Sequence, residues 1–416
     1  MSEAMSKREP MNKSRATADR RQFLRNMSLA TLTSLLGTAI PFHRYLPQGF
    51  VPVALANSLI DGKDALTLLN DRPLNAETPP ELLDDPTTPT ARHFVRNNGQ
   101  PPSAADPGAW VLEVDGLVER PLRLTIADLK SRFESQRKAL VIECGGNGRA
   151  FFDPPARGNQ WTYGAVGCSY WTGVRLRDLL NEAGVREGAI YTAHYGADKH
   201  LSGDPARQPI SRGLPIRKAL QENVLIAYEM NDEPLHPMNG APLRLVVPGW
   251  PGSCSQKWLT RIRLRDIVHD GAKMTGKSYR VPNRPVAPGE KVDKADFEII
   301  ERMPVKSLIT FPATGAELVE RTAQVRGHAW SGDRSIVRVD ISTDFGASWR
   351  RAELDQAVND GAWQNWRIDL DFAQPGYYEI WSRATDSGGL SQPSAIAWNP
   401  KGYLNNTVHR IAVRVS

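Results

Sequence analysis

The chain has 416 residues but only three cysteines, Cys144, Cys168 and Cys254. Three so widely spaced exclude a disulfide framework, although one pair could still join, and at least one thiol is left over. There is no CxxCH for covalent haem attachment and no CxxC pair for zinc. Long apolar runs are missing too: the longest, from Met27 to Phe42, is diluted by Ser and Thr and falls short of the ~20 residues of a spanning helix. Excess charge is a third absence. Residues 1–56 hold eight of the 52 basic and three of the 46 acidic residues, so the rest carries 44 against 43, a net +1. The high pI of the whole chain therefore gives no argument for a nucleic-acid partner, and none is expected. No internal repeat or low-complexity tract occurs, and 40% hydrophobic with 24% charged residues is ordinary globular material for two or three domains.

What is present begins with "ADRRQFLRNMSLATLTSLLGTAIPF". Arg20 and Arg21 precede Phe23, Leu24 and a moderately apolar run, and Ala54, Leu55 and Ala56 offer a cleavage site. The expectation is a twin-arginine signal peptide over 1–56, read by the twin-arginine translocation machinery and placing the mature protein in the periplasm. That route carries folded cargo, which predicts a cofactor inserted before export.

Residues 57–90 are rich in Pro, Asn and Asp and predict an extended, mostly loop segment. The stretch 91–300 mixes element types. "WVLEVDGLVERPLRLTIADLKSRF" predicts a hairpin leading into a short helix, "GVRLRDLLNEAGV" and "ISRGLPIRKALQEN" predict amphipathic helices, and "APLRLVVPGW" a buried strand. From 301 to 416 the texture is short period-two strands with turn residues between them, which predicts a β-sandwich of immunoglobulin type. The fold class expected is therefore α+β, a mixed domain followed by a sandwich.

One stretch concentrates chemistry. "VIECGGNGRAFF" puts Cys144 at a strand end, then Gly145 and Gly146, which let backbone approach a bulky group, Asn147, which tolerates unusual dihedrals, and Arg149, whose planar fork suits an oxyanion. Two readings compete. The chain could be a non-catalytic exported binding protein with inert buried thiols, or Cys144 could be a thiolate ligand to a soft metal.

"IECGGNGR", then "WTYGAVGCSYWTGVRLRDLL", "GAPLRLVVPGW" with "KWL", and the sandwich segments "AWSG", "VDIS" and "WNPKGY", in that order, resemble the sulfite oxidase family of molybdenum enzymes from about residue 90 to 416. The resemblance implies a molybdopterin-binding catalytic domain followed by an immunoglobulin-like dimerisation domain, hence a homodimer. It implies molybdenum and molybdopterin as cofactors, with Cys144 the metal ligand.

The resemblance also implies roles for other residues. "HFVRNNG" supplies Arg96 as a substrate-binding arginine, with Phe94, Val95, Asn97 and Asn98 along the pterin. Arg149 would be a second substrate arginine, Trp161 a pocket tryptophan, Tyr279 a catalytic tyrosine, and Lys401 a cation reaching in from the sandwich. Asp198, Asn239, Arg244, Ser255, Gln256 and Lys257 would contact the pterin. Asn98 and Asn239 stand where many animal members have His, and Lys401 where they have Arg, which keeps the charge but loses the bidentate fork. The implied activity is oxidation of sulfite to sulfate with electrons passed to an external c-type cytochrome, since no haem signature is present. A sulfane dehydrogenase subunit of a thiosulfate-oxidising complex is the alternative inside the family. A methionine sulfoxide reductase of the same superfamily is disfavoured by the C-terminal sandwich.

Overall fold

The computed structural model describes residues 60–103 and 105–416; the signal-peptide reading of residues 1–56 lies outside them. Two five-stranded sheets form the centre of the mixed domain. One runs through Ser135–Glu143, Val166–Arg175, Leu225–Met230 and Glu233–Pro234, with Arg244–Val246 also paired to Leu225–Met230. The other has the order Leu122–Thr125, Val111–Gly116, Leu259–Arg265, Tyr191–Gly196, Gly213–Pro215, with one parallel pair, Val111–Gly116 beside Leu259–Arg265. Leu112, Val114, Leu124, Ile226, Leu245 and Ile262 meet in one buried core.

Helices are few and short. Ile126–Arg132 starts at a capping box in which the Thr125 hydroxyl accepts from the Asp128 amide at 3.1 Å and the Asp128 carboxylate accepts from the Thr125 amide at 2.8 Å. Leu176–Ala183 buries Leu176, Leu179, Leu180 and Ala183 on one face and stops at Gly184, whose φ of 70° only glycine adopts freely.

Two expectations need correction. "ISRGLPIRKALQEN" is a strand, Gly213–Pro215, followed by one short helical turn, Ile216–Ala219. Pro215 has no amide proton and biases Leu214 towards extended backbone, so a helix can begin only after it. Residues 57–90 also hold more than loop. Thr67–Asp71 and Leu74–Glu77 form a hairpin, and its second strand pairs with Val95–Arg96, setting Asn75 opposite Arg96 and Ala76 opposite Val95. Ile60, Leu66, Ala76 and Val95 give this sheet its own small core.

The C-terminal part is a β-sandwich. Lys306–Phe311, Thr322–Trp330, Gln364–Asp371 and Glu353–Leu354 make one sheet; Ala316–Leu318, His409–Val415, Gly376–Asp386, Ile336–Ser342 and Arg350–Arg351 make the other. Val325, Ile341, Trp366, Ile380 and Val413 fill the space between them. The sandwich is tied to the mixed domain at Asp84, whose carboxylate accepts from Thr310 Oγ1 at 2.7 Å and from Arg326 Nη2 at 2.6 Å.

Candidate active site

Cys144 follows directly on the long strand Ser135–Glu143 and is fixed by backbone contacts on both sides. Its amide donates to Ala165 O at 2.9 Å, and its carbonyl accepts from the Asn147 amide at 2.9 Å. Asn147 Oδ1 accepts from the Ala165 amide at 3.1 Å and closes the ring of contacts. Gly148 reverses the chain at a φ of 87°. Gly146 serves a close approach, though not to a ligand: a Cβ there would sit 2.4 Å from the Arg149 guanidinium. Cys144 lines a cavity in the mixed domain. Cys168 and Cys254 are fully buried and unpaired, and burial pushes the Cys168 thiol up to about 12.

Arg244 and Lys257 on the cavity wall, and Lys63 behind it, are cations whose hydrogen-bond partners are all neutral. Arg244 donates to Asn239 O at 2.6 Å and Ser255 O at 3.2 Å and lies 4.8 Å from the Trp171 ring centroid. Lys257 donates to Met238 O at 2.7 Å and to Asn97 Oδ1, and Lys63 to Thr90 O at 2.5 Å and Asn239 Oδ1 at 2.5 Å. Burial lowers the Arg244 guanidinium to about 9. Burial first, then the positive charge of Arg244, lowers Lys63 to about 7 and holds Lys257 well below its usual range. His93, also on the cavity wall, is kept neutral by burial and by Lys63, Arg244 and Lys257. Its Nδ1 lies 3.0 Å from Ser169 Oγ, and that hydroxyl donates onward to Thr88 O at 2.7 Å. The ring therefore donates through Nδ1 and keeps Nε2 as an acceptor.

The same cavity is lined by Arg96, Asn98 and Tyr279. Arg96 Nη2 donates to the Tyr279 hydroxyl at 3.3 Å, and that hydroxyl donates to Asn98 Oδ1 at 3.2 Å, which Lys273 Nζ also approaches to 2.6 Å. Burial alone would lower the Arg96 guanidinium, but its electrostatic contacts with Tyr279 first, then Cys144, outweigh burial and hold the group above its usual value. Burial alone would raise Tyr279, and Arg96 and Lys273 outweigh it in the opposite sense. Tyr279 is buried on a backbone with φ 51°, a conformation L-residues seldom adopt.

Phe94, Asp198, Asn239, Ser255 and Gln256 also reach the cavity wall, so these five, with Arg96, Asn98, Cys144, Arg244, Lys257 and Tyr279, are brought together as expected from sequence. Five candidates do not line it. Val95 points into the hairpin core, because strand alternation sends it to the face opposite its neighbours. Asn97 stands behind the wall, taking the Lys257 ammonium and donating its amide to Asn75 Oδ1 at 2.8 Å. Trp161 is core, edge-on to Phe94 at 6.4 Å between centroids. Arg149 donates to Lys401 O at 3.1 Å and Asn159 O at 2.9 Å, with its guanidinium 4.9 Å from the Tyr403 ring centroid. Lys401 enters that contact through its backbone carbonyl.

Residues that sequence reasoning passed over are Lys63, His93, Met238, Ser253 and Lys273. His93 sits inside the quoted "HFVRNN" and could have been found there; the others carry no local signal.

The donor set can be tested against a molybdopterin group. Among the described residues no cluster of three or more His, Cys, Asp or Glu is placed to hold a metal ion. Asp198 Oδ1, Gln256 Oε1 and Ser253 Oγ are buried on the cavity wall with no hydrogen-bond partner. Burial, opposed by Lys257, pushes the Asp198 carboxyl up to about 6. Unsatisfied acceptors match the N–H groups of a pterin, and unneutralised cations match a phosphate. The residues fit the group.

Comparison with known proteins gives the same picture. Residues 98–273 match the family described as oxidoreductase molybdopterin binding domain, and residues 297–416 the Mo-co oxidoreductase dimerisation domain. The chain is 37% identical to the mitochondrial sulfite oxidase of Drosophila melanogaster over 83% of its own length and 62% of that protein's. It is 34% identical to the sulfite oxidase of Gallus gallus over 83% of its length and 77% of that protein's. Among solved structures, the sulfane dehydrogenase SoxCD from Paracoccus pantotrophus aligns with a TM-score of 0.70 at 26% identity, covering 90% of this chain and 92% of that one.

Proposed function

The chain belongs to the sulfite oxidase family of molybdenum enzymes, with a molybdopterin cofactor, and from that premise we propose that it oxidises sulfite to sulfate in the periplasm and hands the electrons to a c-type cytochrome. The observation that carries the reading is the meeting of Cys144, Arg96, Asn98 and Tyr279 in one cavity that Arg244 and Lys257 also line.

When bound, the molybdenum group supplies two-electron oxidation and oxygen transfer. The protein's part is binding and electrostatics. Arg244 and Lys257 hold the cofactor's anionic end, backed by Lys63 through Asn239. Asp198, Gln256 and Ser253 offer the unpaired oxygens that fix a donor-rich ring. Cys144 presents its sulfur to the metal. Arg96 stays charged and binds a sulfur oxyanion with a charge-assisted hydrogen bond, while the Tyr279 hydroxyl, held between Arg96 and Asn98, keeps that guanidinium aimed. The dimerisation-type sandwich supports a homodimer. The twin arginine at Arg20 and Arg21 supports export through the twin-arginine machinery, and the missing CxxCH supports an external cytochrome.

A second reading, oxidation of protein-bound sulfane sulfur, is favoured by the likeness to SoxCD over nine-tenths of both chains. One experiment separates the two: molybdenum content of the purified protein, measured with sulfite-dependent reduction of ferricyanide and of cytochrome c. Stoichiometric molybdenum with sulfite turnover is the expected result. Molybdenum with no sulfite turnover, but with turnover of a persulfidated carrier protein, overturns the sulfite reading in favour of sulfane sulfur.

A further inference from the structure

The residue immediately before Cys144 is a glutamate buried to 2% exposure, and its carboxylate faces the sandwich, away from the cavity. Both oxygens of Glu143 are taken. Oε1 pairs with the buried Lys306 ammonium and accepts from Asn147 Nδ2 at 3.1 Å; Oε2 accepts from Trp330 Nε1 at 2.9 Å. Lys306 and Trp330 belong to two neighbouring sandwich strands and pair with each other across them. Asn147 is the residue whose amide caps the Cys144 carbonyl and whose Oδ1 holds Ala165, the carbonyl partner of Cys144. From Lys306 and Trp330 through Glu143 and Asn147 to the Cys144 turn, every link is a buried hydrogen bond.

Resting on Cys144 as the reacting ligand, we propose that Glu143 is a positioning residue through which the sandwich fixes the orientation of the Cys144 thiol. A buried carboxylate with a single counter-ion does not stay where it is placed unless its remaining lone pairs are filled. Here Asn147 fills one, so any shift of the sandwich strands is passed to the turn. Partners of this kind behind a metal ligand set its direction, and losing one costs about tenfold or more in activity or affinity.

The test uses Glu143→Gln and Trp330→Phe in the full chain, with Asp84→Asn as the comparison, since Asp84 also bonds to the sandwich, through Thr310 and Arg326, but away from the turn. In cofactor-free protein, iodoacetamide modification of Cys144, followed by peptide mass mapping against the fully buried Cys168 and Cys254, should speed up about tenfold in Glu143→Gln, less in Trp330→Phe, and not at all in Asp84→Asn. In the loaded enzyme, Glu143→Gln should shift the thiolate-to-metal absorption and lower kcat about tenfold with KM unchanged. If Glu143→Gln does not fold, Trp330→Phe decides by the same two readouts, because it removes one N–H and keeps a ring. A wild-type alkylation rate and absorption in the variants, or equal effects from Asp84→Asn, overturns the proposal. The alkylation arm needs neither substrate nor metal, so it stands even if the sulfite reading fails.

Discussion

Lys63 gives the most exposed prediction. Its ammonium is buried against three neutral acceptors and faces Arg244, and these surroundings bring it to about 7 from 10.5. For a base lowered on folding, the unfolded chain binds more protons between the two values. Stability is therefore full above the unfolded value and is lost as pH falls towards the folded one. At pH 9 the unfolded lysine is still mostly charged and the folded one mostly neutral; at pH 7 the folded one is half charged. Over these two pH units the unfolded chain binds up to one proton more than the folded one, which removes about 2 kcal/mol at 1.36 kcal/mol per unit. Cofactor-free protein should thus melt at a higher temperature at pH 9 than at pH 7, with the Lys63 share of the difference absent in Lys63→Met and the share of Lys257, also held below its usual range, remaining. An anionic cofactor favours the charged ammonium, so the loaded enzyme should lose most of the slope. Thermal denaturation followed by near-UV circular dichroism, for both forms and across that range, is the assay. A melting temperature that falls or stays level from pH 7 to 9 in the cofactor-free wild type, with Lys63→Met identical, would refute the buried-cation argument.

Two further outcomes are expected. Arg96→Gln removes a charge-assisted contact worth about 1.5–3 kcal/mol, so the sulfite KM should rise roughly ten- to a hundredfold with the melting temperature little changed; steady-state kinetics at two ionic strengths would measure it, and a KM within a factor of two of wild type places substrate elsewhere. Cys144→Ser should abolish turnover while the circular dichroism spectrum persists, and residual wild-type activity in that variant contradicts its role as ligand.

Much of the fold and site was legible because the signals were local. The capping box at Thr125, the apolar face of Leu176–Ala183 and the alternating sandwich strands each lie within one short window. Cys144, Arg96, Asn98 and Tyr279 stood in recognisable segments, and the cavity holds all four. What escaped depended on contacts between distant segments. The hairpin over 67–77 is made of two strands of five and four residues, too short for periodicity to show, and its reward is pairing with Val95–Arg96 some twenty residues on. Arg149 and Trp161 looked like cavity residues because their neighbours are. The Arg149 guanidinium is instead turned onto the carbonyls of Asn159 and Lys401, the second of them on a sandwich loop.

The distribution of charge explains why such a site is hard to read from sequence and hard to mistake in three dimensions. Lys63, Arg96, Arg244 and Lys257 come from segments spread over nearly two hundred residues, and none stands in a basic run that would advertise an anion site. Brought together under burial, Lys63, Arg244 and Lys257 bond to amides and carbonyls that leave their charge uncancelled, beside an Asp198 oxygen and a Gln256 oxygen with no partner. A protein selected for stability alone would replace such groups with apolar ones, because burying uncompensated charge and unfilled acceptors costs several kcal/mol. Their retention is explained if the ground state of this fold is the loaded one, in which phosphate meets the cations and pterin N–H groups meet the acceptors. The large pH response expected of the cofactor-free chain and its suppression on loading are then two measurements of one quantity, the electrostatic strain that the bound cofactor relieves.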